Sequence, residues 1–84
     1  MKISRQVVTV PADIAIEKIP SWIRFRLSEL NAELDTATFA DVRIELTSRM
    51  IQRMTQAGVD KVMLQEVNRH TKIQRIIAEE IEEA

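Results

Sequence analysis

At 84 residues the chain holds one domain at most, and 12 basic against 13 acidic side chains, a net charge of −1, argue weakly against bulk attraction to nucleic acid. It contains no cysteine, so neither a disulfide framework nor a thiolate metal site can supplement so small a core. Good helix packing or self-association must supply that support.

The opening, MKISRQVVTVPAD, lacks a continuous apolar run, and no stretch approaches the roughly 18 apolar residues of a membrane span. The expectation is a soluble, cytoplasmic protein with no membrane partner. Residues 3–10 are rich in β-branched side chains and end before Pro11, which reads as one short strand. With no second strand evident, this one must lie as an extended arm or pair with another copy, a first hint of a dimer. In ADIAIEKIP, Ile14 and Ile16 alternate as in an extended segment, whereas Ile16 and Ile19 are spaced as in a helical turn.

A helix is expected from Ser21, with Pro20 near its first turn. Ile23, Leu27, Leu30 and Leu34 form its apolar stripe, widened by Trp22 and Phe25. Asp35 or Thr36 can cap a second helix, whose stripe is Phe39, Val42, Leu46, Met50 and Met54, with Ile44 and Ile51 on an adjoining line. Ala57-Gly58 is a good C-terminal stop, because glycine takes the left-handed conformation at little cost. Asp60 then caps a third helix with Met63, Val67, His70, Ile73, Ile77 and Ile81 along one side. The expected fold is mainly α: a three-helix domain over residues 1–84 with an N-terminal strand or arm and connector (1–20). Helices are expected over 21–34, 36–57 and 60–83, the last two forming a long antiparallel hairpin about Gly58. Helices of this length would project from a compact monomer, which is a second hint of self-association.

Catalysis has little to work with. His70 is the only imidazole, and a single glycine cannot build a phosphate loop. Glu79, Glu80, Glu82 and Glu83 form an acidic tail without the convergence a metal site needs. No catalytic residue, metal, cofactor or small-molecule substrate is therefore expected. The charge is uneven along the chain: residues 43–75 carry seven basic and three acidic side chains ahead of that tail. Gln65, Arg69, Lys72 and Arg75 follow helical spacing as a mainly basic stripe, with Arg49 and Arg53 as a shorter one. Such stripes bind phosphates, bind acidic protein surfaces, or are simply solvated. Trp22, Ile23, Phe25 and Arg26 make the one cluster of large side chains, with the residue types of an interface hot spot or of an ordinary core anchor.

Two short resemblances bear on DNA. QAGVDK, with Leu64 and Val67 following it, resembles the turn of helix-turn-helix regulators. That resemblance implies that Lys61, Gln65, Asn68 and Arg69 face a major groove. An ordinary helical hairpin uses the same glycine, and Arg53 and Met54 depart from the family's pattern. VVTVPADIAIEKI resembles the opening of ribbon-helix-helix proteins, which implies a strand paired across a dimer with Arg5 and Gln6 near the bases. The leading expectation is a non-enzymatic protein-interaction module, a regulator, inhibitor or assembly factor, that forms a homodimer or larger oligomer. The alternative is a dimeric DNA-binding regulator.

Overall fold

The computed structural model describes residues 2–35, 37–58 and 72–82. In chain order these form strand β1 (Lys2–Thr9), a 3-10 turn (Ile16–Lys18), helix α1 (Ile19–Glu33), strand β2 (Thr38–Thr47), helix α2 (Ser48–Gln56) and strand β3 (Ile73–Ile81). The strands make one sheet in the order β1-β2-β3, and both pairings are parallel.

β1 ends where Pro11 removes a ladder donor, after Val10 N–H has extended the pairing to Glu45 O at 3.1 Å. The 3-10 turn leads into α1, where Pro20 sits in the first turn and needs no intrahelical donor. Ile19, Ile23, Leu27 and Leu30 fall on one side of α1 and are buried. At its far end the Lys72 ammonium donates to Leu34 O at 2.7 Å, and Lys72 N–H donates to the Asn31 amide oxygen at 3.1 Å. The start of β3 is thereby tied to the carbonyl end of α1, where a cation is favourable.

β2 is the central strand, and its burial alternates. Thr38, Ala40, Val42, Ile44 and Leu46 are buried, while the residues between them are half-buried or exposed. Chain direction then changes within one residue. The Thr47 side chain accepts from Met50 N–H at 3.2 Å and starts α2. Helix α2 buries Met50 and Met54, and ends as Gly58, at φ 81°, donates its N–H to Thr55 O at 3.1 Å. One core joins Val8 and Val10, Ala40, Val42, Ile44 and Leu46 of β2, Ile73 and Ile76 of β3, and the buried sides of both helices. Both helices therefore cover the same face of the sheet.

This α/β architecture replaces the expected three-helix domain. Helix α1 stands close to the expected 21–34. The expected helix 36–57, however, is a strand followed by a nine-residue helix, and the C-terminal part of the expected helix 60–83 is β3. The hairpin of two long helices about Gly58 is thus absent, although Gly58 does end a helix. β1 is not alone either. It pairs in parallel with β2 of its own chain, in place of the cross-dimer ribbon that the ribbon-helix-helix resemblance implied.

The physical reason lies in period. Val42-Arg43-Ile44-Glu45-Leu46 alternates as a strand, yet Val42, Leu46, Met50 and Met54 also fit a helical stripe. In β3 the pairing shifts register: Ala40 partners Ile73 but Asp41 partners Arg75, so Gln74 is an additional residue. This bulge lets Ile73 and Ile76, three apart, both face the core, which mimics helical spacing.

Candidate interaction face

A parallel sheet is ordinarily covered on both sides, because its crossover helices pack on its two faces. Here both helices lie on one side, and the register assigns the other side residue by residue. Ile3 pairs with Phe39; Arg5 with Asp41, and Asp41 with Arg75; Val7 with Arg43, and Arg43 with Ile77. Thr9 pairs with Glu45, Glu45 with Glu79, and Thr47 with Ile81. The face thus consists of rows: an apolar pair, an Arg-Asp-Arg row, a Val-Arg-Ile row, a Thr-Glu-Glu row and a Thr-Ile pair.

Side-chain contacts agree with this assignment. Thr9 Oγ1 donates to Glu45 Oε1 at 3.0 Å, and Arg43 Nε meets Glu79 Oε2 at 3.2 Å, both across neighbouring strands of this face. Arg5, Val7, Asp41, Arg43, Arg75 and Ile77 together line a shallow depression of about 320 Å³. Val7 is 49% exposed, Ile77 42% and Ile3 40%, so large apolar side chains stand open in the middle and at one end of the sheet. Among the described residues, neither Arg5 nor Arg75 forms an ion pair, although each flanks Asp41 in register. Two guanidinium groups are thus left to bind carboxylates from elsewhere.

A second concavity, of about 610 Å³, lies at the carboxyl ends of the strands, where parallel sheets commonly hold ligands. Thr9, Thr47 and Ile81 from the strand ends, Pro11 and Ile14 from the β1–α1 connection, and Arg49, Met50 and Arg53 from α2 line it, with Glu82 at its edge. Arg49 and Arg53 are exposed, and the Met50 N–H is already taken by the Thr47 hydroxyl. Among the described residues no three His, Cys, Asp or Glu side chains converge on a metal position.

The residues singled out in the sequence fall in different places. Ile23 is wholly buried in the core, and Trp22 is half-buried against it. Phe25, 64% exposed, is on the outer side of α1, where Arg26 pairs with Glu29 at 3.1 Å. This cluster is therefore divided between core and surface. Arg49 and Arg53 border the carboxyl-end cleft, Lys72 caps α1, and Arg75 lies on the open sheet face. These four do not share one stripe. Lys61, Gln65, Asn68 and Arg69 lie outside the described residues, as does His70. Sequence reasoning missed the open face because its signal, the alternation of Asp41, Arg43 and Glu45 with apolar residues, was absorbed into a helical stripe.

No described helix is long and apolar enough to cross a membrane. No family model, curated protein or solved structure matches the chain.

Proposed function

We propose that this chain acts in the cytoplasm by binding a protein, without catalysis, and that the open face of its sheet is the binding surface. The observation that carries this reading is the exposure of Val7 and Ile77 beside three arginines on a parallel sheet face that no described element covers. Exposed apolar groups ringed by polar ones are the composition of an interface, and arginine is enriched in interfaces. The ladder beneath them fixes the backbone, so binding has only side chains left to order.

Photo-crosslinking tests the reading. A benzophenone side chain at position 7 or 77 is compared with controls at the exposed helical positions Ser28 and Gln52. The expected result is a protein adduct, with another protein or a second copy, from positions 7 and 77 and none from the controls. Equal yields at all four positions, or none, would overturn it. Duplex DNA is the competing partner, and fluorescence anisotropy of a labelled random duplex decides between the two. The protein-binding reading expects no response even at low salt. Micromolar affinity that falls steeply with added salt would instead reveal phosphate contacts.

A further inference from the structure

We infer that the occupant of the open sheet face is a second copy of this chain, stacked face to face with its strands running in the opposite direction. This rests on the reading that the open face is a binding surface. Charge is distributed unevenly along the strands of this face. Toward their N-terminal ends lies the row Arg5–Asp41–Arg75, two cations and one anion. Toward their C-terminal ends lies Thr9–Glu45–Glu79, two anions. Between them runs Val7–Arg43–Ile77.

A two-fold axis along that middle row lays the basic row of each copy over the acidic row of the other. Such an isologous contact is closed, so it stops at a dimer. Arg75, which has no ion pair among the described residues, comes opposite Glu79 of the second copy, and Val7 and Ile77 meet their own counterparts. At the ends of the central strand, Phe39 lies over Thr47 of the second copy. Two like-charge meetings remain. Asp41 faces Glu45 with arginines on either side of it, and the Arg43 pair on the axis is held by the intrachain bond from each Arg43 to Glu79. Stacking with the strands parallel is worse, because it sets the Arg5 and Arg75 rows upon each other.

The size of the face sets the strength. Three strands about 4.8 Å apart and about eight residues long give roughly 15 by 26 Å, or about 400 Å² per copy. That is about half of a standard interface side, so the dimer is weak and concentration-dependent.

Sedimentation equilibrium over roughly 1 µM to 1 mM, the span of weak complexes, reads it directly. The full chain is run beside Val7→Asp, Arg75→Glu, Glu79→Arg and the double variant carrying both charge reversals, each checked for an unchanged circular dichroism spectrum. The expected result is a reversible dimer, weakened at least tenfold by Val7→Asp and by either single reversal, and restored in the double variant. Arg75 and Glu79 are four residues apart on one extended strand, about 13 Å, so restoration requires a second copy. A chain monomeric throughout would overturn this inference but not the binding reading, provided position 7 still crosslinks to a different protein. A dimer insensitive to Val7→Asp would remove the open face as its interface. A dimer lost in Val7→Asp but not restored by the double reversal would overturn the antiparallel arrangement.

Discussion

Asp35, in the turn ahead of β2, accepts hydrogen bonds from Thr38 Oγ1 at 2.7 Å and from Ala37 N–H at 2.9 Å. Both favour the ionised form, the Thr38 hydroxyl most, and they hold the carboxyl below its ordinary value. A lowered folded-state pKa means that the proton binds more weakly in the folded chain than in the unfolded one. The turn therefore contributes stability above the ordinary aspartate value of about 3.9, and loses it as pH falls through the lowered folded value. An NMR titration of the Asp35 carboxyl carbon should give a midpoint below the ordinary value, and Thr38→Val should move it upward. A midpoint unmoved by that substitution would remove the hydroxyl as the cause. An acid followed by threonine reads equally as a helix cap or as the turn before a strand, since the same carboxylate bonds to nearby N–H groups in both. That ambiguity is why Asp35 pointed to a helix in the sequence and to a strand in the fold.

Among the elements, β2 positions everything else, because both neighbouring strands take their register from it. An alanine series along it should follow a two-residue period. Ile44→Ala and Leu46→Ala remove wholly buried side chains and should each cost about 2–5 kcal/mol, whereas Arg43→Ala should stay within about 1 kcal/mol. Chemical denaturation measures these, and losses recurring every three to four residues would contradict the strand. α1 was legible in the sequence because Ile23, Leu27 and Leu30 match only a helical period, and β1 because β-branched residues run up to Pro11. Gly58 was legible because few residues other than glycine close a helix at positive φ. β2 was not, because its alternation abuts α2 with no loop between them, so the apolar positions of the two add up to one apparent helical stripe. β3 was not, because the bulge at Gln74 breaks its alternation, and only pairing with β2 shows it.

At the scale of the molecule, the described residues form a sheet with one face packed and no described element on the other. Two parallel crossovers with both helices on one side bury Val8, Val42, Ile44, Leu46 and Ile76, and leave Ile3, Val7 and Ile77 outside. Nothing in the order of apolar residues marks that second set as different from the first. The distinction comes from pairing register, which is why the candidate face was not legible in the sequence. Charge on the face belongs to the same scale. Exposed charges are screened beyond about 10 Å at 0.1 M salt, so added salt should loosen any partner held by Arg5 and Arg75 while leaving the apolar contact in place.

The proposed binding surface requires the face carrying Val7 and Ile77 to be open in the single chain. Its most direct test is the solvent paramagnetic relaxation of assigned methyl groups at high dilution, using a soluble inert gadolinium chelate. Strong relaxation of Ile3, Val7 and Ile77 is expected, with weak relaxation of Val8, Val42 and Ile44. Weak relaxation of Val7 and Ile77 in the dilute monomer would mean that the chain covers this face itself, and would remove it as a binding surface.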